Sequence, residues 1–381
     1  MLRIKLPKKA LGKSLVSFLI LIFALSIFLL TPWGRVFVKT SLLLSEILPG
    51  SPIHPLNLVT KEPIKEEVEI TSGAGKVKTD IYRPNDLKRH PTAIFVVAGI
   101  NPEDKSVVVY TKSLARLGLI IAVPKIDDLV KGDLKYQSVE NLVDTFGFLK
   151  AKDFVNSQRI GFFGICAGGT FSLLAGENSK ISKDVDFVVT VSPYYDFYSG
   201  LFSIFTHRIN EDGKSYSWNT HQQVTSSVQK LLINSLENEK EKRIVNKLLE
   251  GDVSQEEIQS LSSDGRAIFD FLSNSNPQKF DQLWNKLPKN LKENIFPALS
   301  PKVQINNLSA KVFILSDGKD TYIPHTESWA LAKDLSSDRK DFVELDILEH
   351  AQLTKRLPRI TTVKQIIELY GFVYRIFLRI S

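Results

Sequence analysis

The chain's single cysteine, Cys166, sits in the stretch GFFGICAGGT, residues 161–170. Gly164 stands two positions before it, and Gly168 and Gly169 stand two and three after it. An apolar run, RIGFFG, leads in, and a helix-prone run, GTFSLLAGEN, leads out. A strand–turn–helix of this composition can hold a nucleophile in a sharp, strained turn. Side chains two positions to either side would strike the neighbouring strand and helix, and glycine removes them. The turn also sets the thiol at the positive end of the helix, where negative charge is stabilised. Taken alone, the motif also suits a small buried cysteine among packing glycines.

What must position such a turn is a sheet. The stretches EEVEIT and KVKTDIYRP alternate apolar and polar residues around SGAG and predict a hairpin with one wet face. Residues 92–99, 119–124, 159–164, 185–193, 311–318 and 341–350 are short apolar runs. Such runs are strands buried on both faces, as in a parallel sheet covered by helices. Residues 138–151 place Val139, Leu142, Val143, Phe146 and Leu149 on one helical face. Strand alternating with helix predicts an α/β fold with a mostly parallel, eight-stranded sheet. Residues 198–305, rich in Lys, Glu, Asn, Gln and Ser, are too long for a loop in a compact domain and predict an inserted helical cap, or lid. The expected core is therefore residues 66–197 together with 306–381.

Two later segments supply partners for the thiol in the order such a turn needs: nucleophile, acid, histidine. Asp320 lies in ILSDGKDTYIP, after one buried strand and four residues before Pro324. His350 lies in LDILEHAQ, at the end of the next. Cys166, Asp320 and His350 thus fall at carboxyl ends of strands, where an open α/β sheet keeps its site. Asp317 is the competing acid in the same loop, with turn stabilisation as its other role. Asp196, in SPYYDF after the sixth strand, is a second competitor.

From about Glu66 onward the chain resembles an α/β-hydrolase-fold enzyme. GICAGG is similar to the elbow of thiol members such as dienelactone hydrolases, and also to that of polyhydroxyalkanoate synthases. LSPKVQINNLSAKVFILSDGKDTYIP resembles the approach to the acid in family esterases, and EHAQ resembles the histidine loop. Most members carry serine at the elbow, so the thiol here is a departure, one suited to acyl transfer and activated esters. The resemblance implies that Cys166 attacks an acyl carbonyl, that His350 handles its proton, and that Asp320 fixes the imidazole tautomer. It also implies an oxyanion hole made by the amides of Ala167 and, in AGINPE, Ile100.

Other residues carry plainer expectations. Tyr194 and Tyr195 read as packing at a junction, with lining of an acyl pocket as the alternative. His325 is expected at a helix start on the surface. His54, His90, His207 and His221 lack metal-ligand spacing and read as ordinary; His207 and His221 fall in the cap, with a substrate contact as the alternative. No metal and no organic cofactor is expected.

Charge and hydropathy speak to location. The net charge is +7 over 381 residues. Residues 1–14 hold five of these charges, and residues 351–381 hold a net five more, so the region between is at −3. A nucleic-acid binder should spread basic charge over its folded surface. Basic ends point to a membrane instead. Residues 15–34 carry no charge, are long enough to cross the hydrocarbon core, and end near Trp33 at an interfacial position. They are expected to be an uncleaved anchor following the basic segment 1–14, since no small-x-small cleavage site follows Leu30. Basic residues on the N-terminal side then place the rest of the chain outside the cytoplasm. Residues 35–65 are expected to be a juxtamembrane linker. The C-terminal helix is expected to pack on the sheet, with a basic face available to the membrane. The functional expectation is a membrane-anchored ester or thioester hydrolase. An acyltransferase using the same triad and a binding protein on the same scaffold are the alternatives.

Overall fold

The structure is a computed structural model that describes residues 8–47, 55–251, 254–349, 352–353 and 360–380. His350 and His54 lie outside the described residues.

The N-terminal region is a bent pair of helices, α1 (Lys8–Leu30) and α2 (Pro32–Ile47), at 88° to one another. Pro32 stops α1, because it lacks an amide proton and clashes with the preceding turn. Thr31 makes the corner: its hydroxyl donates to the Phe28 carbonyl (2.6 Å) and accepts from the Gly34 amide (3.0 Å). A Cβ at Gly34 would fall 1.9 Å from the Phe28 oxygen, so only glycine allows the two helices to meet there. Among the described residues no single helix is long and apolar enough to cross a membrane; Leu19–Leu30 and Pro32–Ile47 meet that measure only together, as a bent pair. The stretch expected to be a linker is partly core. Val36, Leu43 and Leu44 of α2 are buried, and α2 packs on the C-terminal helix. The short α3 (Leu56–Val59) follows.

The hairpin is β1 (Ile64–Ser72) with β2 (Gly75–Arg83), paired antiparallel. Then come β3 (His90–Val96), α4 (Lys105–Arg116), β4 (Ile120–Pro124), α5 (Asp127–Val130), α6 (Gln137–Lys150), β5 (Val155–Ile165), α7 (Ala167–Glu177) and β6 (Phe187–Val191). The chain leaves the sheet through α8 (Phe197–Thr206), the hairpin β7 (Arg208–Glu211) and β8 (Lys214–Ser217), and α9 (Gln222–Asn234). It continues through α10 (Glu239–Glu250), α11 (Gln255–Gln259), α12 (Ser263–Leu272), α13 (Phe280–Lys286) and α14 (Phe296–Ala298). It returns as β9 (Lys311–Asp317), α15 (His325–Asp334), β10 (Lys340–Leu345), the two-residue β11 (Leu348–Glu349) and β12 (Gln352–Leu353), and α16 (Ile360–Ile380).

The main sheet has eight strands in the order β1-β2-β4-β3-β5-β6-β9-β10. It is parallel from β4 to β10, with β1 and β2 antiparallel at one edge. This is the mostly parallel eight-stranded α/β architecture the alternation predicts. One strand is shorter than expected: the run 341–350 leaves the sheet at Leu345, and Leu348–Glu349 pairs with Gln352–Leu353 instead.

Each face of the sheet carries its own core. On one, α6, α7 and the helices between β6 and β9 cover Ile94, Phe162 and Val188. On the other, α2, α4 and α16 cover Phe95, Phe187, Val189 and Phe313. The basic residues late in α16 are tied to this second face. Arg375 donates to Asp341 (2.8 Å) and Arg379 to Asp186. Both arginine side chains stay exposed, so these are surface ion pairs that tie α16 to the sheet.

Candidate functional site

Cys166 joins β5 to α7 with φ 54° and ψ −128°, a conformation that L-residues avoid. Holding it costs roughly 1–3 kcal/mol, which the surroundings must over-determine. They do so through backbone. The Cys166 amide donates to the Val191 carbonyl of β6 (2.8 Å), and the Cys166 carbonyl accepts from Thr170 in α7 (3.2 Å).

The glycines explain themselves by distance. A Cβ on Gly164 would lie 2.3 Å from the Gly168 oxygen, and one on Gly168 would lie 2.2 Å from the Val96 oxygen of β3. On Gly169 it would lie 2.1 Å from the Thr190 hydroxyl of β6. Each glycine lets α7 start in contact with the sheet, and this fixes the thiol at the helix N-terminus.

The thiol opens on a cavity of about 340 Å³. Ile100 and Ala167 line it together with Cys166, so the two expected oxyanion residues and the nucleophile share one space. Tyr194 also lines it. Its hydroxyl is buried and has no hydrogen-bond partner among the described residues. Burial, and secondarily negative charge on Cys166, holds the Tyr194 phenol above its ordinary range. Tyr195 instead packs inward, fully buried, and its hydroxyl donates to Asp334 (2.8 Å).

The acid loop forms another wall through Tyr322, Ile323 and Pro324. Asp320 is buried, and its Oδ1 accepts from the amides of Tyr322 (2.6 Å) and Ile323 (3.2 Å). Asp317, the competing acid, is the fully buried last residue of β9, and its Oδ1 accepts from the Lys319 amide (2.9 Å). Asp196 caps α8 through the Tyr198 amide (3.1 Å) and pairs with Lys302 (2.7 Å). Both of its oxygens are thus engaged away from the cavity.

The segment between β6 and β9 supplies the remaining wall and several contacts that the sequence did not signal. Phe197, Leu201 and Ile204 of α8 and Val224 and Val228 of α9 line the cavity. Trp218 donates its indole N–H to the Asp320 carbonyl (2.8 Å). The Gln223 side chain donates to the Gly99 carbonyl (2.9 Å), beside Ile100. His221 stacks on Tyr322 with ring centres 4.0 Å apart, and its Nε2 lies 3.1 Å from the Tyr322 hydroxyl. Burial, then negative charge on Cys166 and Asp320, raises the Tyr322 phenol. An isolated tryptophan, glutamine or histidine in a polar helical stretch carries no spacing that would mark it. His207 ends α8 in a left-handed conformation. His325 begins α15 as expected but is half-buried, against Trp329 and 3.7 Å from Glu211, not on the surface. Among the described residues no three His, Cys, Asp or Glu side chains converge where they could hold a metal ion.

No protein-family model matches the sequence, and no curated protein does. Solved structures do superpose. A 2,6-dihydroxy-pseudo-oxynicotine hydrolase aligns over 83% of this chain and 68% of its own, at 10% identity and TM-score 0.50. The α/β hydrolase GrgF from Penicillium sp. sh18 aligns over 83% of this chain and 98% of its own, at 15% identity and TM-score 0.50. The chain has the α/β-hydrolase fold. It also overlays two longer peptidases, one of them dipeptidyl peptidase 4 of Porphyromonas gingivalis, and spans 36% of the length of each. At these identities the likeness concerns the fold alone.

Proposed function

We propose that the protein is an α/β-fold hydrolase of carboxylic esters or thioesters that works through a covalent thioester on Cys166. The observation that carries this reading is the backbone of Cys166: a non-glycine residue at φ 54°, clamped by three glycine contacts, with its thiol opening on the cavity. Strain of this kind is kept where a side chain must be aimed.

In the first half-reaction the Cys166 sulfur bonds to the acyl carbon. The bond from that carbon to the leaving oxygen or sulfur breaks, and the thiol proton passes through a histidine, assigned to His350, to the leaving group. In the second, water adds to the thioester, its proton returns by the same route, and the free acid and the thiol are restored. The amides of Ala167 and Ile100 hold the oxyanion in both halves. Asp320, its Oδ1 held by two amides, orients the imidazole. The helices between β6 and β9 act as the lid. The exposed apolar row from Leu19 to Leu30 supports membrane attachment through α1, with the enzyme outside the cytoplasm on the charge argument given above.

The test is covalent labelling by an electrophilic acyl probe, read by mass spectrometry. Wild type should carry the acyl group on Cys166. Cys166→Ala should carry none and lose about 10⁴-fold or more in ester turnover, as removal of a nucleophile does. His350→Ala should label more slowly. Turnover that survives in Cys166→Ala overturns the proposal.

A further inference from the structure

The site cavity has a neighbour. A second cavity of about 150 Å³ lies on the other face of the sheet, beneath α2, α4 and α16. Its walls are Phe187 and Val189 from the sheet, Leu43 and Ile47 from α2, and Phe372 and Val373 from α16, among others of the same kind. The hydroxyl of Tyr110 is the single polar side-chain group in that lining. Tyr110 of α4 and Ile165, the residue next to the nucleophile, line both cavities. The two spaces therefore adjoin across one aromatic ring and one branched side chain.

Protein interiors are close-packed, and an apolar void of this size stays dry and accepts apolar guests. The void is placed to receive one end of a substrate whose other end is at Cys166. We propose that the acyl group of the substrate passes between Tyr110 and Ile165 and lies in this second cavity, so that the natural substrate carries a long, linear hydrocarbon acyl chain. This rests on the acyl-thiol reading given above. Three features favour that occupant. Apart from Tyr110, the lining offers a polar acyl group no side chain to bind. Only two side chains, Tyr110 and Ile165, are shared by the linings, and the narrow route they would leave suits an unbranched chain better than a ring. The α2 helix that walls the cavity continues directly from α1, whose apolar side chains from Leu19 to Leu30 are exposed as a membrane-facing segment would be. The long chain can come from a membrane lipid or from a soluble acyl thioester, and both share the chemistry.

The experiment compares kcat/KM for butyryl and palmitoyl p-nitrophenyl esters in the full chain, in wild type and in Val373→Trp, which fills the second cavity at a residue that does not line the first. Wild type should favour palmitoyl. Val373→Trp should lower the palmitoyl-to-butyryl ratio about tenfold or more, since each methylene denied burial costs several-fold. Val373→Phe should shift the ratio the same way by less, and decides the matter if the tryptophan variant fails to fold. Ile367→Trp, on the exposed face of the same helix, should leave the ratio unchanged. Wild-type preference for butyryl, or an unchanged ratio in folded Val373 variants, overturns the chain-binding proposal while leaving the acyl-thiol reading intact. Failure to turn over either ester, with Cys166 unlabelled, overturns both. Palmitoyl thioester in solution and palmitoyl phospholipid in neutral vesicles, compared in wild type, then tell which source supplies the chain.

Discussion

The elbow and the segment inserted between β6 and β9 both face the same cavity, yet they are built by different rules. At the elbow, backbone meets backbone: added Cβ atoms at Gly164 and Gly168 would each fall within 2.3 Å of a main-chain oxygen, and one at Gly169 would strike the Thr190 hydroxyl. In the insertion, side chain meets side chain. Phe197 stacks on Phe296 at 5.0 Å, Tyr198 meets Trp284 edge-on at 5.0 Å, and Phe271 packs on Phe280 at 5.5 Å. A glycine there, Gly200 of α8, has nothing within 4 Å of where its Cβ would be. Contacts between main chains admit one residue type, whereas aromatic clusters repack around many. The reacting group is thus held rigidly, and the wall that meets the substrate is held by a more adaptable layer.

The largest effect that tests this contrast is Gly168→Ala. One methyl group would lie 2.2 Å from the Val96 oxygen, so either β3 or α7 must move. We expect a loss of roughly 3–5 kcal/mol in urea unfolding, in the range of severe overpacking. Cys166 labelling should fall with it, because the same contact positions the thiol. A variant as stable as wild type would show that the elbow can relax and would end the contrast.

The same difference decides what the sequence reveals. The strained turn at Cys166, the number of strands and their alternation with helices were legible because backbone crowding and two-sided burial leave narrow composition signatures: glycine at fixed offsets, unbroken apolar runs. The β7–β8 hairpin was not, since its strands of four residues are mostly exposed and polar. Nor was the end of β10 at Leu345, because the apolar pattern continues through Ile347 and Leu348, which are buried without pairing to β9. The hydropathy of residues 15–34 suggested one straight element, and the corner at Thr31 is visible only once the Gly34 contact is known. In the candidate site, Cys166, Ala167, Ile100 and the Asp320 loop were named from motif, order and resemblance, and the fold brings them around one cavity. Trp218 and Gln223 were not, nor was the stacking of the cap's His221 on Tyr322, for each depends on how the insertion folds back onto the acid loop and the Gly99 turn.

A second, smaller effect compares two buried glutamates. Glu327 of α15 anchors the start of the insertion, with Oε2 accepting from the amides of Tyr195 (2.9 Å) and Asp196 (2.8 Å), and Oε1 accepting from the Ser199 hydroxyl. Glu177 ends α7 with its Oε1 buried and without a partner among the described residues. Burial pushes the Glu177 carboxyl well above the usual carboxylate range. A carboxyl raised in the folded state favours folding while protonated, and that contribution is lost as pH climbs from the unfolded value through the raised one. Glu177→Gln should therefore match wild type in acid and exceed it by roughly 1–3 kcal/mol in mildly alkaline buffer, where wild type must bury a charge or take up a proton. Thermal unfolding across that range reads the difference. Parallel pH curves for the two proteins would mean that Glu177 is satisfied in solution, so that the elbow helix carries no electrostatic cost at its far end.

The smallest effect belongs to Gly200→Ala. The position is inside α8, where alanine gains up to about 1 kcal/mol over glycine because less backbone freedom is lost on folding. Nothing within 4 Å opposes the added methyl group, and Gly200 lines the site cavity. The methyl group therefore points into space a substrate would use. The variant should melt slightly higher and label Cys166 at the wild-type rate with a small acyl probe. Turnover of a bulky acyl ester should fall by about two- to fivefold, as one methylene in a pocket does. The insertion then differs from the elbow in kind. The same change, one methyl group on a glycine, breaks the frame at residue 168 and only reshapes the substrate wall at residue 200. A stability loss at Gly200 comparable to that at Gly168 would mean that the insertion, too, is fixed by close backbone approach, and the view of it as an adaptable layer would fall.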